Sequence, residues 1–338
     1  MNQFTYGILA LLISTVAYGH HSTLGTFDPD QTISIEGTIT DFRWSNPHVR
    51  LEVAVTDTSG NIEDWEIELS ALSMLRTRGL DQEILHIGDT IQVAGNPARG
   101  GLPAMAGNNL LLMDGREVLV DRGSTPYFTD PDNDQTLQPV FDNQVAEQAR
   151  DSADGIFRVW STILDSSFPM FRGGYPLTEA AAATKESWVP DIEVQLSCWE
   201  KDMPFLMITP HPIEFVQQGE DILIRFEEDD AERRIHMGEQ NQNSDDSWGP
   251  LGYSSGAWEA NTLVVETANI DAAAFDDLGT PMDKNIRLTE RFTLSDDQQR
   301  LDYHIRIVDP VTFTQPVDLS RYFVWRPELQ VNEWNCVD

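Results

Sequence analysis

Along most of this chain, side chains change character at every second position, and that period belongs to β-strands. Ile33, Ile35, Gly37 and Ile39 interleave with Thr32, Ser34, Glu36, Thr38 and Thr40. Val49, Leu51, Val53 and Val55 repeat the pattern, and Ile62, Trp65, Ile67 and Leu69 form a third run whose parity breaks once after Ile62. Asp57-Thr58-Ser59-Gly60-Asn61, between the second and third runs, has the composition of a hairpin turn. A short helical stretch over 70–78 follows and is stopped by Gly79. Strands are then predicted over 90–94 and 109–113, with a last short run over 117–120. Three strands, one helix and two strands form the order of a five-stranded OB-type barrel, in which sheet closure removes most free edges.

The second half repeats the signal more densely. Eight strands are predicted over 213–217, 221–227, 232–237, 252–259, 262–267, 285–294, 301–308 and 320–325. Turn residues lie between neighbours at Gln218-Gly219-Glu220, Glu228-Asp229-Asp230, Ala260-Asn261 and Ser295-Asp296-Asp297. Consecutive hairpins imply an antiparallel meander, and eight strands suit a closed lipocalin-like barrel with room for one small ligand. Short helices are predicted over 146–152 and 178–186, the second capped by Thr178. The expected architecture is therefore mainly β. Residues 1–19 read as a signal peptide, 20–121 as an OB-like domain, 122–153 as an acidic linker with a short helix, and 154–338 as an eight-stranded antiparallel barrel.

The compartment is read from the N-terminus and the charge. Residues 4–16 are mostly apolar, too few to cross a bilayer, and Ala17-Tyr18-Gly19 supplies a small-x-small cleavage site. A periplasmic or secreted product beginning at His20 is expected, and in an oxidising compartment Cys198 and Cys336, the chain's two cysteines, are expected to pair. No later segment is long and apolar enough to span a membrane as a helix. With 56 Asp and Glu against 22 Lys and Arg, the net charge of −34 repels phosphate backbones and excludes nucleic acid as a partner. A small molecule is the expected partner.

Two resemblances follow from particular residues. His20-His21-Ser22, Ile35-Glu36-Gly37-Thr38-Ile39, Trp44-Ser45-Asn46-Pro47-His48-Val49 and residues 88–95 resemble an exported bacterial family of unknown function, marked by His-His-Ser after the leader and by Trp-x-Asn-Pro-His. That resemblance spans residues 20–120. Residues 155–338 resemble a second uncharacterised exported bacterial β-domain family through Pro212-Ile213-Glu214, Arg225-Phe226-Glu227, Arg234-Ile235-His236, residues 256–267 and Glu290-Arg291-Phe292. Where that family usually carries Cys-Leu-Pro-Pro-Gly, this chain has Cys198-Trp199-Glu200-Lys201-Asp202. The resemblances imply the fold and the compartment, and no chemistry.

The candidate sites come from parity and composition. Glu290 shares a face with Ile286, Leu288, Phe292 and Leu294, and a carboxylate on an apolar face must be paired or protonated. Its candidate partners are Arg225, His236, His304 and Arg306. A binding protein for a small, fairly apolar ligand would use Arg225, Glu227, Trp258, Glu266, Glu290 and Arg306. A barrel enzyme of isomerase, hydratase or cyclase type would use Glu290 with His236 or His304 for acid–base chemistry. A third reading is copper: the amino group and imidazole of His20, joined by His21 or His48, make a nitrogen site suited to Cu(II). No cofactor is required otherwise. There is no Gly-x-Ser-x-Gly, phosphate loop, His-Glu-x-x-His or dinucleotide fingerprint. Non-catalytic binding is the leading reading.

Overall fold

The alternating runs of the first half close on themselves. The computed structural model describes residues 26–120, 123–133, 135–138, 143–162, 174–189, 200–238, 248–272, 274–276 and 278–336. The expected leader, His20, His21 and Cys198 with its expected bond to Cys336 lie outside the described residues. Strands β1 (Ile33–Arg43), β2 (Arg50–Thr56), β3 (Ile62–Glu68), β4 (Thr90–Pro97) and β5 (Ala104–Leu111) form a closed five-stranded barrel. β1 pairs antiparallel with β2 and β4, while β3 and β5 close the ring as a parallel pair at Glu66↔Ala104. Helix α1 (Leu72–Thr77) lies between β3 and β4 in sequence, and β6 (Glu117–Leu119) adds to the outer edge of β5.

Inward positions of this barrel carry Ile39, Leu51, Val53, Ile67, Ile91, Val93 and Met105, all buried in one cluster. β5 begins earlier than the 109–113 run suggests. Its N-terminal residues, Ala104, Met105, Ala106 and Gly107, are small or unpatterned, and long-range pairing rather than side-chain alternation makes them a strand. Gly95 sits at an irregularity where β4 crosses β5, and a Cβ there would meet the Ala106 carbonyl oxygen at 2.0 Å. Only glycine fits that approach.

The second half also closes, with nine strands rather than the eight expected. β8 (Ile213–Gln218), β9 (Asp221–Phe226), β10 (Glu232–Met237), β11 (Tyr253–Glu259), β12 (Thr262–Ala268), β13 (Arg287–Leu294), β14 (Arg300–Val308) and β15 (Val317–Trp325) match the predicted runs. The ninth, β7 (Val159–Ser161), is inserted between β15 and β8. At three residues it is shorter than any run in which alternation can be detected. Helices α2 (Asn143–Ser152) and α3 (Glu179–Ser187) lie outside the strands, and Thr178 caps α3 by accepting the Ala181 N–H at 3.2 Å.

The odd count has a topological consequence. Strands that alternate in direction close a ring only in even numbers, so five or nine strands leave one parallel pair. In the first barrel that pair is β3–β5; in the second it is β10–β11, joined at Ile235↔Ser254. Parallel neighbours need a crossover rather than a hairpin. Of the crossover between β10 and β11, Trp248, Pro250, Leu251 and Gly252 line the cleft described below. Within the barrel, Trp160, Phe215, Phe226, Phe292, Tyr303 and Phe323 are buried in one cluster. The lipocalin-like interior is thus occupied by aromatic side chains. No helix among the described residues is long and apolar enough to cross a membrane.

Candidate functional site

On β10 the sequence Glu232-Arg233-Arg234-Ile235 alternates exposed, buried, exposed, buried. The arginine at the inward position meets Glu290, inward on β13. Arg233 is 1% exposed and Glu290 0%. The guanidinium Nη1 donates to Glu290 Oε1 at 3.0 Å, and Nη2 forms a second, closer bond to Oε2. The remaining donors are also used: Nε to Ser254 Oγ at 3.0 Å and Nη2 to Thr267 Oγ1 at 2.7 Å. Tyr303 OH donates to Glu290 Oε1 at 2.9 Å. Burial works against the charge on Arg233, Glu290 beside it more than offsets this, and the guanidinium pKa is raised. Tyr303 is pushed well above its ordinary value by burial and then by Glu290, so it stays a donor.

The partner of Glu290 is therefore Arg233, and not Arg225, His236, His304 or Arg306. The available signal for Arg233 was its shared parity with Ile235, obscured by charged neighbours on both sides. The partners that were proposed lie elsewhere. Arg225 is exposed and pairs with Glu214 at 3.1 Å, Arg306 pairs with Asp318 at 3.0 Å, and His304 lies 3.4 Å from the same Asp318. β14 turns Tyr303 and Ile305 inward, so His304 and Arg306 face away from Glu290. Trp258 is 46% exposed and Glu266 is exposed on β12. His236 lies 3.3 Å from Asp221 and is not bonded to Glu290. Both carboxylate oxygens of Glu290 are committed to Arg233, with Thr267 and Tyr303 adding further bonds. A carboxylate held this way is a structural anchor with no free lone pair directed at a substrate.

Outside this pair, at the parallel seam, a cavity of about 600 Å³ opens. Arg233 and Ser254 reach it from the barrel side, and Trp248, Leu251 and Tyr253 come from the crossover and the start of β11. The His236 ring stacks on Tyr253 with centroids 4.9 Å apart and planes at 15°, and Trp248 tilts against the same ring at 4.6 Å. Trp248 Nε1 and Tyr253 OH are buried with no hydrogen-bond partner among the described residues, while His236 Nδ1 faces Asp221 Oδ2 at 3.3 Å. Burial, with Asp221 nearby, raises the Tyr253 pKa, so its hydroxyl remains protonated. The cations of the cleft are taken: Arg233 by Glu290, Lys201 by Glu228, and Arg234 by Asp221 at 3.6 Å. The carboxylates Glu200, Asp229, Asp230 and Glu232 also line it. Burial, opposed by the Lys201 N–H and reinforced by Glu228, pushes Asp229 up to about 6.

The Trp-x-Asn-Pro-His motif has a different place. Asn46, 0% exposed and followed by a cis peptide bond to Pro47, accepts the Leu72 N–H at 3.0 Å at the start of α1. Its amide donates to the Glu333 carbonyl at 3.1 Å, which ties the first barrel to the C-terminal tail. Arg76 of α1 bonds Asn332 at 2.7 Å, and Asn332 bonds Glu227 of the second barrel through its side chain at 2.6 Å and its backbone at 3.1 Å. Glu227, named as a ligand-binding candidate, thus belongs to the seam between the barrels. His211 packs edge-on against Trp334 there, and burial pulls it down to about 4, so it is neutral at pH 7. His48 Nδ1 lies 3.0 Å from the Leu69 carbonyl and 3.6 Å from Glu68. The other residues of the expected copper site, His20 with its amine and imidazole and the alternative ligand His21, are outside the described residues. No three His, Cys, Asp or Glu side chains gather into a metal-holding group among the described residues.

A family model described as a family of unknown function (DUF6152) matches residues 9–106. The matched stretch holds the Trp-x-Asn-Pro-His motif and ends within β5, so the cleft at the second barrel lies beyond it. No curated protein matches the chain.

Proposed function

We propose that this chain is an exported, non-catalytic binding protein that holds one small, largely apolar molecule in the cleft beside the β10–β11 seam. One observation carries the reading: an aromatic wall in which Trp248 Nε1 and Tyr253 OH are buried together with no hydrogen-bond partner among the described residues. A buried polar atom left unpaired costs about 1–3 kcal/mol, and a ligand that pairs with it as the wall adjusts recovers that cost. The cavity also falls within the usual size range of small-molecule sites, roughly 300–1,000 Å³. The packed barrel interior favours this cleft over the lumen as the place of binding. Export is supported by the apolar run over residues 4–16 and the Ala17-Tyr18-Gly19 cleavage pattern, and a Cys198–Cys336 disulfide belongs to the same proposal.

Native mass spectrometry of the protein recovered from the periplasm tests the whole reading. The expected species begins at His20, weighs two hydrogens less than the reduced chain, and retains one small molecule that Trp248→Ala loses. A folded product that keeps its leader would overturn export. An unliganded wild type, or a Trp248→Ala variant that retains the molecule equally well, would overturn binding in the cleft.

A further inference from the structure

The chemistry of the cleft narrows the ligand class, on the premise that the binding reading above holds. We infer that the cleft takes an uncharged aromatic carbonyl compound. The wall is built from rings: His236 stacked on Tyr253, with Trp248 tilted across the same ring. Leu251 and Pro250 extend the apolar surface. A flat aromatic body matches such a wall, because offset and edge-on ring contacts add to the burial of apolar area.

The polar requirement is directional. An indole N–H can only donate, and the Tyr253 hydroxyl is held protonated by burial. Neither has an acceptor among the described residues. The complement of two donors is a ligand oxygen with two lone pairs, which a carbonyl supplies. An amine could bond the carboxylates that line the cleft, but a protonated one has no lone pair to offer and would leave the indole and the hydroxyl unpaired.

Charge decides between a neutral and an anionic acceptor. A carboxylate or phosphate would offer lone pairs too, and it needs a free cation. Arg233, Lys201 and Arg234 are each paired with a carboxylate. Glu200, Asp229, Asp230 and Glu232 line the same cleft. An anion entering here would meet like charge with no cation released to receive it, and like-charge juxtaposition disfavours the wrong partner. The carbonyl is therefore on an uncharged molecule.

Three probes that share one ring system separate these terms: 2-acetonaphthone, 2-ethylnaphthalene and 2-naphthoate. Each is titrated calorimetrically into the mature protein and into the Tyr253→Phe and Trp248→Phe variants. The ketone is expected to bind at least about tenfold more tightly than the hydrocarbon, the worth of one net hydrogen bond, with the naphthoate weakest. Tyr253→Phe keeps the ring and removes the hydroxyl, so it should erase most of the ketone's advantage and leave the hydrocarbon's affinity unchanged. Trp248→Phe tests the second donor separately. Equal binding of ketone and hydrocarbon, or tightest binding of the naphthoate, overturns the carbonyl assignment while the cleft remains a binding site. Failure of all three probes to bind the wild type overturns the cleft itself.

Discussion

Glu290→Ala is expected to destabilise the second barrel by about 3–5 kcal/mol, the usual cost of leaving one partner of a buried ion pair alone. The loss has little to do with the attraction between Arg233 and Glu290. It comes from what remains: a guanidinium 1% exposed, with Nη1 and Nη2 stripped of their carboxylate, and a Tyr303 hydroxyl stripped of its acceptor. Glu290→Gln keeps the shape but replaces one accepting oxygen with a donor that faces Arg233, so it should fall close to the alanine variant. Removing both charges is a different perturbation. The double variant Arg233→Met with Glu290→Leu fills the space with apolar atoms and should recover a large part of the loss, because the desolvation of two ions disappears with their attraction. The recovery stops short of complete, since Ser254, Thr267 and Tyr303 lose bonds as well. Urea unfolding of the three variants checks this; a Glu290→Ala cost below about 1 kcal/mol would place the pair among weak surface bridges and refute it.

The second large effect concerns Glu117, which has no part in the cleft. Its carboxylate is fully buried in the first barrel and accepts from Asn109 Nδ2 and Tyr127 N at 2.7 Å, Phe128 N at 3.2 Å, Thr129 N at 2.9 Å and Thr129 Oγ1 at 2.7 Å. One side chain thus fixes the segment that leaves the barrel. Glu117→Ala leaves these donors without an acceptor and is expected to cost about 3 kcal/mol or more. The wild type also predicts a pH dependence. Burial opposes the charge, the hydrogen bonds to Tyr127, Thr129 and Asn109 together outweigh it, and the pKa of Glu117 is lowered from 4.5. A carboxyl depressed in the folded state contributes its full stability above the unfolded pKa and loses it as pH falls through the folded value. Acid titration of stability should therefore show a loss beginning near pH 4.5 and continuing downward, and Glu117→Gln should remove this group's share of it. Unchanged acid sensitivity in Glu117→Gln would contradict the assignment.

Much of this architecture was legible because strand alternation is local. The eight long runs of the second half needed only their own residues to be recognised, and Glu290 on its apolar face announced a buried carboxylate. What stayed hidden depends on closure. β7 is three residues held between β15 and β8, and nothing in Val159-Trp160-Ser161 marks it as a strand. With nine strands one pair of neighbours must run parallel; here that pair is β10–β11, and the crossover and the cleft lie beside it. Trp248 sits in that crossover with no periodicity to assign it, and its approach to Tyr253 and His236 exists only once β10 lies beside β11. Arg233 was concealed for a different reason: between Glu232 and Arg234 it reads as part of a solvated charge run, although its parity is that of Ile235. Asn46 shows the same limit. Its motif was visible, whereas its bonds reach Leu72 of α1 and Glu333 of the C-terminal tail, far apart in sequence.

Photo-cross-linking with benzophenone, itself an uncharged aromatic ketone whose excited carbonyl inserts into nearby C–H bonds, tests the binding site most directly. After irradiation of the mature protein and peptide mapping, the adduct should fall within residues 233–236 or 248–254 and diminish when 2-acetonaphthone competes. Adducts confined to the five-stranded barrel or to the outer face of β13 and β14, or no adduct at all, would contradict it.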